Sequence, residues 1–561
     1  TFADNGTYTV YGRIFDKALV PLVTRTAGER TTMLLVLIGT WVGIELLLVG
    51  LRILQGRVSV IIGSGVSRDL RTRVFNHLQS LSLAYFDRHK TGALMSRVNG
   101  DSQHLEGFLV DGVVWTIISL LQASMVAVML FWMNWKLGLL VLVPAPLVVV
   151  FTRLVWRKVM GRFRRLWEVF SRLSASLSDS LRGVRVVKSF GREEREIARF
   201  DRHNQAAREA MVTAETTWAA LMPLLQFVMG LGGYLVWVVG GLLVIHGSET
   251  PGTLVTFMGY TPMLYGPLFV LTRVNQWFTR SMTAAERIFE ILDTESEVPE
   301  APDAVPMPNM KGRIELREAS FGYEKHTPVI KRMNLIIEPG EIVGLVGHSG
   351  AGKSTTINLT TRLYDVDEGQ IFIDDVDVRK IKVADLRRQT GVVLQETFLF
   401  AGTVYDNIAY SRPDVPPTDV INAAKMANAH SFIMDRPDGY DSEVEEGGNN
   451  FSSGEKQRLA IARAILHDPR ILILDEATSS VDTKTEKQIQ EAISRLTRGR
   501  TTIAIAHRLS TLRGANRLVV MERGEIKEIG SHEELVAKKE GIYYELVKAQ
   551  TEMTSTMAVG E

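Results

Sequence analysis

No cysteine occurs in the 561 residues, which excludes disulfides, thiolate-bound metals and a catalytic thiol. A surplus of either charge is also lacking: Lys+Arg 64 against Asp+Glu 63 leave a net charge of +1. A nucleic-acid-binding protein ordinarily carries a basic excess, so phosphate backbones are not the main partner. Long apolar runs are almost absent from the second half, nearly all of them lying before residue 280. The chain is too long for one core and its halves differ in character, so two domains are expected.

Five stretches of the first half are long and apolar enough to cross about 30 Å of hydrocarbon: Thr32–Ile53, Val110–Trp132, Leu137–Trp156, Leu221–Ile245 and Leu254–Val274. The segments between them sort by charge. One long segment carries Arg68, Arg71, Arg73, Arg88 and Lys90, and a second carries Arg162, Arg164, Arg165, Arg182, Arg185 and Lys188. The short turns Asn134–Lys136 and His246–Thr253 hold Lys136 as their one Lys or Arg. The positive-inside rule places the long basic segments in the cytoplasm and the short turns outside. Val74, Leu78 and Leu81 keep helical spacing, and a helix from Thr32 to Arg97 would run about 100 Å, well beyond a bilayer. Five spans put Thr1 outside. The opening Val10–Val20 segment is too polar and short to cross, so an earlier span is expected upstream of this sequence. Glu45, Arg273, Asn275 and Gln276 lie within or near spans and are open to two readings, interhelical pairing or contact with a substrate cavity.

Around residues 286–310 a Glu/Pro-rich stretch replaces the apolar runs, which is linker composition. The apolar run Ile342–Val346 then leads into Gly347, His348, Ser349, Gly350, Ala351, Gly352, Lys353, Ser354 and Thr355. This is G-x-x-x-x-G-K-[ST] between a strand and a helix, a loop whose backbone N–H groups close around phosphates. The following helix adds its positive end. Lys353 reaches the terminal phosphates of a bound nucleotide and the Ser354 hydroxyl ligates Mg²⁺. Downstream, the apolar strand Ile471–Leu474 ends in Asp475 and Glu476. Asp475 stands where a Mg²⁺-holding carboxylate belongs, and Glu476 one residue nearer the reacting water.

The order of these motifs resembles the ATP-binding-cassette superfamily, and the chain from about Tyr11 to Leu546 resembles its exporter-type half-transporters. That resemblance implies an α-helical transmembrane bundle with long cytoplasmic extensions, joined to an α/β P-loop ATPase domain. The domains are expected at 1–285 (transmembrane), 286–310 (linker), 311–550 (nucleotide-binding) and 551–561 (C-terminal tail). It further implies that Tyr323 stacks on adenine, that Gln395 touches Mg²⁺ and reports to the membrane domain, and that Ser442–Gly448 faces the intracellular loops. Phe451–Glu455 stands at the signature position, Asp482 closes a loop coupling two sites, and His507 is the switch histidine. Phe86–Arg97 and Gly183–Glu193 resemble the cytoplasmic segments that carry the coupling helices.

In this superfamily the signature of one chain faces the γ-phosphate held by another, so Ser452, Ser453, Gly454 and Glu455 are expected to complete a site built on a partner's Lys353. The resemblance thus implies a dimer with ATP and Mg²⁺ as cofactors, in the inner (plasma) membrane, with its nucleotide-binding domain in the cytoplasm and a hydrophobic or amphipathic substrate that is exported. Two departures are internal: the signature reads Phe-Ser-Ser-Gly-Glu rather than Leu-Ser-Gly-Gly-Gln, and Glu445-Glu-Gly-Gly replaces a Gly-Glu-Arg-Gly pattern. Ser453 would be strained if its backbone needed positive φ, and Glu455 adds negative charge near a triphosphate. Survival of Ser452 and Gly454 favours a homodimer; a heterodimer with a better signature on its partner is the alternative. A soluble ATPase of the chromosome-maintenance type would need a coiled coil where this chain has apolar spans. An ATP-gated channel and an importer on the same scaffold stay open.

Overall fold

The computed structural model describes residues 27–324, 326–395, 397–475, 482–505 and 514–549. Its contacts divide the chain into two compact units, Thr1–His77 with Gly92–Leu292, and Leu78–Thr91 with Asp293–Glu561.

The first unit is helical among its described residues. Helix Ala27–Ser80 has 54 residues and so is about 80 Å long. It is followed by Thr91–Met133, Trp135–Leu142, Pro144–Arg182, the short Val184–Ser189, Glu193–Ile245 and Pro251–Leu292. The apolar segments are sharply punctuated. Asn134 adopts extended backbone and its side chain accepts from the N–H groups of Lys136 and Leu137, capping a helix that reverses the chain. Val126, Leu130, Leu137, Val141, Val236, Phe257, Leu264 and Tyr265 form the buried cluster of this unit. Within it the Tyr265 hydroxyl donates to the Val141 carbonyl at 2.5 Å.

Leu34–Ser80, Thr91–Met133 and Glu193–Ile245 are long and apolar enough to cross a membrane, and they contain the expected spans at Thr32–Ile53, Val110–Trp132 and Leu221–Ile245. The other two expected spans fall on Trp135–Leu142 with Pro144–Arg182 and on Pro251–Leu292, where several side chains lie outside the described residues. Arg273, Asn275 and Gln276 are among those; Glu45 is exposed on its helix.

One expectation is corrected. The helix entering at residue 27 does not continue to Arg97 but stops at Ser80. Ser82 is extended (φ −70°, ψ 159°) and starts a separate short helix, Leu83–Arg88. Burial is what favours the break: Leu81 and Ala84 are 8% and 4% exposed, and Ala84 joins the core of the second unit.

The second unit has twelve strands among its described residues. In chain order these are β1 Ile314–Phe321, β2 Ile330–Ile337, β3 Ile342–Val346, β4 Glu368–Ile373, β5 Val376–Asp377, β6 Thr390–Val393, β7 Gly402–Thr403, β8 Glu443–Val444, β9 Ile471–Asp475, β10 Thr501–Ile505, β11 Arg517–Glu522 and β12 Glu525–Gly530. An antiparallel sheet runs β2-β1-β4-β5, and a six-stranded sheet runs β12-β11-β3-β10-β9-β6. Strands β11, β3, β10, β9 and β6 of the larger sheet are parallel. β9 is apolar from Ile471 to Leu474 and β10 is buried throughout, its Thr501 and Thr502 included, as a parallel sheet covered on both sides requires. Being parallel, β3, β9 and β10 present their carboxyl ends at one edge of the sheet.

Residues preceding β1 are strapped to this unit. Val305 bridges to Ile381, Met307 N–H donates to Asp385, and the backbone of Gly312 and Arg313 donates to Asp374. Arg362, 1% exposed, donates to the Pro299 carbonyl and to Asp365.

Candidate functional site

The site begins where β3 ends. A side chain at Gly347 would place its Cβ 2.3 Å from the Met521 carbonyl oxygen, and Gly352 sits at φ +101° with only 2.7 Å to the Ile330 side chain. Glycine is the residue that tolerates both. The loop thus closes tightly, and helix Lys353–Thr360 starts directly from it. The Lys353 ammonium donates to the carbonyls of Gly347 and His348 at 2.8 and 2.9 Å. Burial lowers its pKa, while the charge of Asp475 works in the opposite direction. Ser354 is exposed beside it, with His348, Ser349 and Gly350, whereas Ala351 and Thr355 are buried.

Asp475 ends β9 in register with Ile505 of β10, and Gln395 lies two residues beyond Val393, which pairs with Leu474. Asp475, Gln395 and the loop after β3 therefore leave the carboxyl ends of strands of one parallel sheet, the edge where such sheets bind ligands. A serine hydroxyl, a carboxylate and a side-chain amide oxygen form an all-oxygen donor set, which suits a hard divalent cation such as Mg²⁺. Glu476, the Ser479–Val481 segment and His507 lie outside the described residues.

Tyr323 is half-exposed, with its hydroxyl 3.3 Å from Thr355 Oγ1. Its ring stands edge-on to Phe321 and to Tyr364, at 5.1 and 5.2 Å between centroids. An aromatic wall thus flanks the phosphate loop, the shape that a planar base needs.

At the signature position Ser452 caps helix Ser453–His467. Its hydroxyl accepts from Glu455 N–H, and the Glu455 carboxylate accepts from Ser452 N–H and Oγ–H at 2.8 and 2.9 Å. This reciprocal box explains a glutamate at this place. Ser453 is the first helical residue and is not among the residues with positive φ, so the strain considered for it does not arise. Asp482 caps helix Thr483–Thr497 by accepting from Thr485 N–H, and that bond lowers its pKa. In the Glu445-Glu-Gly-Gly segment, Gly447 and Gly448 both take positive φ, and Lys456 donates to the Gly447 carbonyl at 2.8 Å.

Sequence reasoning missed the partners of Leu83–Arg88. Tyr364 donates to Asp87, and Arg88 pairs with Glu297 at 2.6 Å. Burial, then the bond to Asp87, pushes the Tyr364 phenol well above its usual range. No local pattern marks Tyr364, which is distinguished only by what the fold brings to it.

The profile described as the ABC transporter transmembrane region matches residues 6–268, and the one described as ABC transporter matches residues 330–479. Over 515 residues the chain is 39% identical to an ATP-dependent lipid A-core flippase of Syntrophus aciditrophicus, covering 91% of this chain and 85% of that one. The chain belongs to the ATP-binding-cassette transporters. A second relative in this family, a fatty acid ABC transporter ATP-binding/permease protein of Mycobacterium tuberculosis, is 38% identical over 86% of this chain and 76% of its own. The solved structure of a bacterial Atm1-family ABC exporter with ATP bound matches with a TM-score of 0.80 at 31% identity, covering 96% of this chain and 94% of that chain. This ATP-binding-cassette chain is accordingly an exporter-type half-transporter, a membrane protein that binds ATP and couples it to transport.

Proposed function

We propose that two copies of this chain form an exporter that uses ATP hydrolysis to move an amphipathic molecule, a lipid, drug or peptide, out across the plasma membrane. The nucleotide-binding domain is cytoplasmic. The observation that carries the reading is the joint presence of a closed phosphate loop on Lys353, Asp475 at the same sheet edge, and Ser452 capping a helix N-terminus. The first two hold one nucleotide. The third meets the nucleotide of the other copy, so that two ATP molecules join the copies and hydrolysis parts them. The likeness to a lipid A-core flippase and a fatty acid transporter supports a lipid-like substrate.

In this account Glu476 is the base that activates water, His507 steadies the γ-phosphate, and Tyr323 stacks on adenine. Ser354, Gln395 and Asp475 hold Mg²⁺, which would neutralise phosphate charge. Asp482 lies in the loop joining the two sites. The membrane domain covers about 1–285, the linker 286–310 and the nucleotide-binding domain 311–550. Val184–Ser189 has no buried residue, and exposed Val186 and Phe190 suit it to dock on the other copy.

The test is to purify the chain expressed alone, then measure its mass and its ATPase in liposomes. A dimer with robust turnover is expected. An inactive monomer that gains activity only with a second gene product would replace the homodimer by a heterodimer.

A further inference from the structure

The signature segment of this chain carries a charge that its position does not need. Glu455 secures Ser452 through the capping box, yet its carboxylate then lies 2.9 Å from the hydroxyl proposed to meet a triphosphate. Two negative groups brought together at low dielectric repel strongly unless a cation stands between or beside them. Among the described residues, the cation in ion-pair contact with Glu455 is Arg436, at 4.0 Å. Of the other cations nearby, Arg458 is also attracted by the Glu455 charge, but its hydrogen bonds, like that of Lys456, go to carbonyl or amide oxygens. Lys456 donates to the Gly447 carbonyl, and Arg458 points inward to Asn428, Gln488 and the Gly454 carbonyl.

Arg436 also grips the segment in two other ways. Its guanidinium carbon lies 3.5 Å from the centre of the Phe451 ring, a cation–π arrangement, and its Nη2 donates to the Asn450 carbonyl at 3.1 Å. The Asn450 side chain in turn ties Glu443 and Glu445 of the acidic segment. One side chain therefore touches Asn450, Phe451 and Glu455, the residues that bracket Ser452.

We infer that Arg436 is a positioning residue of the composite ATP site, offsetting the Glu455 charge and holding the Phe451–Ser452 turn against the helix N-terminus. Arg436, Phe451 and Glu455 act as a set that keeps an atypical signature competent. The inference rests on the reading that Ser452 meets the nucleotide of the other copy.

The test is the KM for ATP of the full-length dimer in proteoliposomes, compared across R436A, R436K, E455Q, the R436A/E455Q double variant and S452A, with thermal unfolding of each. R436A is expected to raise KM by about three- to tenfold, the range of coupling for neighbouring charged groups, and R436K to stay within about twofold. In the E455Q background, removal of Arg436 should raise KM by clearly less than in the parent, because only its contacts with Asn450 and Phe451 are left to lose. An equal loss in both backgrounds, or no loss from R436A in either, would overturn the inference. Should R436A fail to fold, the double variant and R436K decide, since a folded double variant with a tenfold higher KM than E455Q also contradicts it. S452A separates the two levels. If it hydrolyses ATP like the parent, the signature reading itself falls; if it is impaired while the Arg436 loss ignores Glu455, only the inference falls.

Discussion

The hydroxyl of Tyr364 donates to the carboxylate of Asp87, a residue 277 positions earlier in the chain. The same Tyr364 ring stands at 90° to that of Tyr323, 5.2 Å away, and Tyr323 flanks the phosphate loop. A path of two rings and one charge-assisted hydrogen bond thus joins the proposed adenine platform to helix Leu83–Arg88. Replacing Tyr364 by Phe keeps the rings and removes the bond. Such a bond contributes about 1.5–3 kcal/mol, so Y364F should lower the unfolding temperature. ATP affinity should change little, while stimulation of ATPase by transported substrate should fall. ATPase titrated with lipid in nanodiscs would check this, and unchanged stimulation would remove Tyr364 from the coupling path.

Gly232 and Tyr265 form a second dependent pair. A Cβ at Gly232 would lie 1.8 Å from the Tyr265 hydroxyl, which is itself committed to the Val141 carbonyl. G232A should therefore destabilise the membrane unit by about 1–3 kcal/mol, the usual cost of overpacking. Y265F removes the offending oxygen, so the G232A/Y265F protein should recover part of the loss relative to G232A. Thermal unfolding in detergent measures both, and equal stability of G232A and the parent would contradict the packing account.

Much of the second unit was legible because its chemistry is written in contiguous residues. Ile342–Thr355 carries a strand, a tight loop and the start of a helix within a few positions, and Ile471–Asp475 a strand with its terminal carboxylate. The exit of the first long helix was not legible, because Leu78 and Leu81 keep helical spacing while Leu81 and Ala84 are buried outside it. Tertiary burial there overrides local periodicity. Glu455 looked like an intrusion until the capping box with Ser452 supplied its reason, and Arg436 carried no signal in sequence because its three contacts converge only in the fold.

Glu315 should report acid sensitivity of the nucleotide-binding unit. Arg317 and then Arg313 hold its carboxyl down to about 2. A depressed carboxylate contributes stability that is fully present above its ordinary pKa near about 4.5 and is lost as pH falls towards about 2. E315Q should therefore melt lower than the parent at pH 7, and the gap should narrow steadily below about pH 4.5. Melting curves at pH 7, 5, 4 and 3 test the sign. A gap that widens on acidification would show that the arginines do not favour the charged form.

The most direct measurement is ATP-dependent uptake of a fluorescent short-chain phospholipid analogue into inside-out proteoliposomes, with the parent chain and E476Q side by side. E476Q should still bind ATP, hydrolyse it about 10²–10⁴-fold more slowly, the usual worth of a positioned base, and lose uptake in proportion. Uptake by E476Q at the parent rate, or uptake by the parent with no ATP present, would contradict transport driven by hydrolysis at this site.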